Sequence, residues 1–124
     1  MPSITANMAC ELAPLALEIS TQTRAALAAA RSGDRDAMLR AAQAAGDLAN
    51  QIVAAAVPQQ PGPSPEPLLM SILSTAYAGN QVSLFFGDAV PSAEDLTSFE
   101  WTILGALDLS VADVEAGAAD CPVP

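Results

Sequence analysis

From Pro67 to Gly87 the chain runs for 21 residues without a charged side chain, fenced by Glu66 and Asp88. The start signals are those of a helix. Ser64 suits the cap, Pro65 the first helical position, and Glu66 the positive end of the dipole. Gly87 suits a left-handed stop, and Pro91 forbids continuation. The spacing predicts a helix over 65–86, about 33 Å long at 1.5 Å per residue. Wound at 100° per residue, Leu69, Ile72, Leu73, Ala76 and Leu84 share one face. Ser71, Ser74, Thr75 and Gln81 gather on the other, together with Val82 and Phe85. A helix so nearly apolar has to be covered on most sides. The run is long enough to span a bilayer. However, Ser, Thr, Asn and Gln lie within it, and no Lys or Arg flanks it to set a topology, so a central bundle helix explains it better than a membrane span.

Three more helices are predicted around it. Over 4–31, Ile4, Met8, Leu12, Leu15, Ile19, Ala26 and Ala30 form a stripe that Gln22 interrupts. Pro14 lies inside this stripe and is expected to kink the helix or to mark a later start. Gly33 ends the segment. Over 35–57, Met38, Ala41, Ala45, Leu48, Ile52 and Ala55 make a seam dominated by alanine, with Asp36, Arg40, Gln43 and Asp47 opposite. Over 93–117, capped by Ser92 with Asp95 three residues on, the stripe is Leu96, Phe99, Ile103, Leu107, Val111 and Val114. Residues 58–67 (PQQPGPSPEP) are a proline-rich connector, and 118–124 are a tail. No strand alternation or internal repeat is visible. The expectation is one all-α domain over 1–124, an antiparallel four-helix bundle with both short turns at one end.

Charge is partitioned. Residues 1–57 hold Arg24, Arg31, Arg35 and Arg40 against five acids, net −1, and residues 58–124 hold nine acids and no base, net −9. There is no Lys and no His. Direct nucleic-acid binding and anionic membrane surfaces are thereby disfavoured, because both need a basic face. Arg31 and Arg35 are expected at the tip that also holds Asp88, Glu94 and Asp95, where exposed pairs contribute about 0–1 kcal/mol each.

The inventory for catalysis is thin. Without His there is no usual general base and no usual zinc or haem ligand, and no phosphate loop or nucleophile elbow appears. The reading is therefore no enzyme, no cofactor and no metal. Carboxylate pairs such as Glu11 with Glu18 read as solvated faces. Cys10 and Cys121 fall toward the end that holds both termini. In the absence of a visible secretory signal they are expected as reduced thiols, with Cys10 off the core stripe, in a cytoplasmic protein.

Charged residues are only 15% of the chain and apolar ones 52%, which leaves apolar surface for a partner. Trp101 points to the side of its stripe, above Gly105 and in line with Leu109, which is the composition of an interface anchor. Tyr77, Val82 and Phe85 on the third helix complete the candidate partner-binding set. The sequence thus points to a non-enzymatic protein–protein interaction module that forms a homodimer or docks another protein through its third and fourth helices. Two alternatives follow from the same features. The acidic half suits a decoy for the basic groove of a nucleic-acid-binding protein, and the small residues Ala41, Ala45, Gly79 and Gly105 suit a carrier of an apolar ligand.

Overall fold

The computed structural model describes residues 4–56 and 67–121, with side chains in the first helix from Met8 onward. These residues form four helical rods, with no strand among them. The first three are α1 (Ile4–Arg31), α2 (Arg35–Ala56) and α3 (Pro67–Phe85). The last rod is continuous but has three parts: α4 (Ala93–Phe99), a π-helical turn (Glu100–Leu104) and α5 (Gly105–Ala118). The predicted opening of the third helix at Ser64–Glu66, and most of the proline-rich connector, lie outside the described residues.

The ends follow local chemistry, with two corrections. Gly33 adopts φ +76°, and the amides of Gly33 and Asp34 donate back to the carbonyls of Ala30 and Ala29, closing α1 in a Schellman motif. Ser92 caps α4 by accepting from the Asp95 amide at 3.1 Å. Gly87 is not left-handed, and α3 stops after Phe85 without that device. Gly117 does not end its helix, which runs on to Ala118. It is instead a contact point, since a Cβ there would lie 2.8 Å from Leu68 Cδ1. Pro14 neither ends α1 nor delays its start.

The buried faces are heptad seams that keep much of each predicted stripe and shift at the other positions. The kept residues include Leu12, Ile19, Ala26 and Ala30 in α1, Met38, Ala41, Ala45 and Ile52 in α2, and Leu69, Ile72 and Ala76 in α3. In α1 the seam is Ala9, Leu12, Ala16, Ile19, Thr23, Ala26 and Ala30, in steps of three and four. Thr23 fills the place where Gln22 interrupts the predicted stripe, and its hydroxyl donates to the Ile19 carbonyl. In α2 the seam is Met38, Ala42, Ala45, Ala49, Ile52 and Ala56, while Ala55 is exposed. In α3 it is Leu68, Ile72, Thr75, Gly79, Val82 and Phe86, the last just beyond the helix. Leu84, expected in the core, is exposed instead. Thr75, expected on the polar face, is buried, with its hydroxyl bonded to the Ser71 carbonyl. Each buried threonine thus satisfies its own polar atom within its helix, which keeps the seam dry.

The last rod follows the same rule with one residue too many. Its buried positions are Leu96, Phe99, Leu104, Leu107, Val111 and Val114, in steps of 3, 5, 3, 4 and 3. The single step of five spans the π-helical turn, where the Gly105 amide donates to the Glu100 carbonyl five residues back. A π turn absorbs an inserted residue in this way. Without it, Phe99 and Val111, 12 residues apart, would stand about 120° out of line at 100° per residue. Leu104 therefore takes the buried place predicted for Ile103, which is half-buried.

Cross-links show how the rods run. Cys10 is joined to Cys121, Arg24 pairs with Asp108, and Arg31 pairs with Glu100, so α1 ascends as the last rod descends. At the hairpin tip Arg35 donates to the Asp88 carbonyl, while Glu94 and Asp95 occupy the first turn of α4. Phe85, Phe86 and Phe99 form an aromatic cluster with centroids 4.7–5.1 Å apart. The expectation of reduced thiols is overturned. Cys10 and Cys121 form a disulfide, and both pack against the core as partly buried residues, because the early turns of α1 and the residues just past α5 lie side by side.

Candidate functional site

A helix buried on one seam has an opposite side, and in α3 that side is unusual. Met70, Ser74, Tyr77, Gln81 and Leu84 follow one another in steps of 4, 3, 4 and 3, a second heptad seam on the outer surface. Met70, Tyr77 and Leu84 are exposed large apolar side chains at intervals of seven residues. No charged residue lies in α3. On the last rod, Trp101 and Leu109 are also exposed. Trp101 sits inside the π turn and is exposed, while Phe99 and Leu104 are in the core.

Between the two rods lies an open groove of about 260 Å³, lined by Tyr77, Ala78, Gln81, Thr102, Ile103 and Ala106. Apolar atoms make up nearly all of its wall. Thr102 neighbours Trp101 in sequence, and Leu109 follows Ala106 by three positions, so both flank the groove's helical wall. The Thr102 hydroxyl donates to the Ser98 carbonyl at 2.7 Å, so this polar atom in the wall is already satisfied within its own helix. The volume is small for a drug-sized molecule but suits one or two side chains.

The predicted partner-binding set divides under this geometry. Trp101 is 83% exposed, Leu109 74% and Tyr77 69%, so these three are available to a partner. Gly105 is half-buried and closes the π turn. Val82 is fully buried and is corrected to a core residue: it stands on the inner seam, 3 residues from Gly79, where no partner reaches it. Phe85 is only partly exposed and packs its ring against Phe99 at 4.7 Å. Leu84 (75% exposed) and Met70 belong to the face but were not anticipated. The signal for them was in the sequence as the 70-74-77-81-84 spacing, masked by the equally apolar seam beside it.

No charged side chain lines the groove. The half-exposed carboxylates of Glu100 and Asp108 turn toward Arg31 and Arg24 of α1. Asp113 stands one helical turn past Leu109. Among the described residues, no group of three or more Cys, Asp or Glu side chains comes together to hold a metal ion, and no helix is long and apolar enough to cross a membrane. No family model, curated protein or solved structure matches the chain.

Proposed function

We propose that this protein is a non-enzymatic interaction module, a small acidic helical bundle that binds a protein through the outer face of α3 and the adjoining flank of the last rod. The observation that carries this is the concentration of large exposed apolar side chains, Met70, Tyr77, Leu84, Trp101 and Leu109, beside a charge-free groove. Exposed apolar surface of this kind is retained where something covers it. Self-association and capture of a different protein are both forms of this reading. Sedimentation velocity across a concentration series tests it, run alone and with candidate partners, and compared with Trp101→Ala and Leu84→Ser. Association that these variants weaken, in folded protein, supports the face. Association that neither variant changes sets it aside.

The carrier reading is the weaker one. Its small residues hold helices together: a Cβ on Gly79 would meet Ile19 Cγ2 at 3.1 Å and the Ala45 carbonyl oxygen at 3.3 Å, so the space beside Gly79 is filled. The acidic-decoy reading draws on the net charge of −10, but the carboxylates lie along several flanks and form no phosphate-like row.

The working compartment is part of the proposal. The expected cytoplasmic location and reduced thiols both followed from the lack of a visible secretory signal, and the Cys10–Cys121 bridge favours an oxidising compartment instead. Alkylation of the protein as drawn from its host, before any lysis-induced oxidation, distinguishes the two: protected cysteines support the oxidising location, and alkylated ones the cytoplasm.

A further inference from the structure

We infer that the occupant of this face is an amphipathic helix of another protein, apolar along one seam and basic on its flanks. The inference rests on the interaction reading above and adds the partner's chemistry to it.

Periodicity identifies the partner's shape. The outer seam of α3 extends from Met70 to Leu84, about 21 Å along the axis, or four turns. Steps of 4-3-4-3 are the spacing to which a second helix presents its own a and d residues. Ser74 and Gln81 alternate with the apolar positions, and polar residues at such places fix register. The groove alongside, walled by Ile103 and Ala106, receives the larger side chains of a helix laid on that seam.

Charge identifies the partner's sign. The protein carries −10 and has only four basic residues. Arg24 and Arg31 are engaged with Asp108 and Glu100, and Arg35 with the Asp88 carbonyl. Exposed carboxylates follow the face's residues closely along the chain: Asp113 is four residues past Leu109, Asp88 is four residues past Leu84, and Glu94 and Asp95 open the rod that carries Trp101. A second copy would bring an identical negative rim to the same contact. A helix flanked by Lys and Arg meets the rim with opposite charge and the seam with apolar side chains.

The test uses the full chain and three synthetic peptides of about 20 residues that lack Trp. The first has Leu at a and d and Lys or Arg elsewhere; the second replaces every base by Glu; the third scrambles the first. Trp101 is the sole tryptophan and is solvent-exposed, so its emission reports cover directly. The basic amphipathic peptide is expected to blue-shift Trp101 and to lose about tenfold or more in affinity between about 50 and about 500 mM NaCl. Both control peptides should bind about tenfold more weakly or worse, and so should the first peptide to Tyr77→Ser and Leu84→Ser proteins of unchanged circular dichroism. Equal binding of the scramble, or of the acidic peptide, overturns the inference. If no peptide binds but the protein alone dimerises more tightly as salt rises, with Trp101 shifting blue, the face pairs copies of this chain: the partner assignment fails and the interaction reading stands. If no peptide binds and the protein stays monomeric with Trp101 hydrated, both fail.

Discussion

A Cβ on Gly46 would stand 2.8 Å from the Cβ of Ser83 and 2.9 Å from its hydroxyl oxygen, so α2 and α3 meet through a bare Cα. Six of the eight buried residues of α2 are alanine or glycine, which lets the two backbones approach closely.

Glycine replacements should separate by site. An alanine in a helix interior gains about 1 kcal/mol over glycine from propensity. Overpacking costs about 1–3 kcal/mol and outweighs that gain at Gly46 and Gly79, where neighbours lie at 2.8–3.3 Å. Gly105→Ala meets nothing nearer than 3.6 Å and is expected to be neutral or stabilising. Urea midpoints of the three variants check the order, and Ser83→Gly should recover part of the Gly46→Ala loss by relieving the same clash.

The π turn makes one deletion tolerable. Removing Thr102 turns the step of five between Phe99 and Leu104 into a step of four, which an ordinary α-helix accommodates. Cooperative melting should survive, with Trp101 emission still that of an exposed ring, since two residues past Phe99 is about 200° from the core side at 100° per residue. Removing Ala112 instead breaks the step from Val111 to Val114 and takes Val114 out of the core, costing about 1.5–3 kcal/mol. Equal damage from both deletions would show that the extra residue is not what the π turn absorbs.

The Cys10–Cys121 bridge closes 111 residues of chain. Long closed loops lose the most unfolded-state entropy, and Cys10→Ser with Cys121→Ser is expected to lower stability by about 2–4 kcal/mol. Denaturation of the native protein with and without reductant measures the same loss.

Val82 and Trp101 should respond in opposite ways. Val82→Ala opens space in the inner seam and is expected to cost about 1–3 kcal/mol, with binding of the folded protein retained. Trp101→Ala removes an exposed ring and should change stability by less than about 0.5 kcal/mol while weakening association. Thermal melts paired with binding isotherms separate the two effects.

Much of the molecule was legible in the sequence because the signals are local. The reach of α1, the Schellman turn at Gly33 and the Ser92 cap each depend on a few neighbouring residues, and each stands where the residues put it. The faces were less legible. In α3, Leu69, Ile72 and Ala76 are buried as read, but toward the end of the helix Leu84 and Val82 are comparable apolar choices, so periodicity alone does not select between them. That ambiguity placed Val82 among the binding residues and Leu84 in the core. The π turn did leave a trace: Phe99, Ile103, Leu107 and Val111 are three successive steps of four, a drift that a straight α-helix does not sustain on one face.

The sequence by itself determined that there are four helices, where most of them start and stop, and that acid gathers in the second half. Propensity, capping and charge act over a turn or two of chain and need no distant partner. Only the tertiary structure decided which side of each helix is covered, which tryptophan flank faces water, and that the two cysteines meet. In a chain 52% apolar, every helix offers more than one adequate seam. The choice is made by the neighbours that pack against it, and a pairing across 111 residues exists only once those neighbours have brought the ends together.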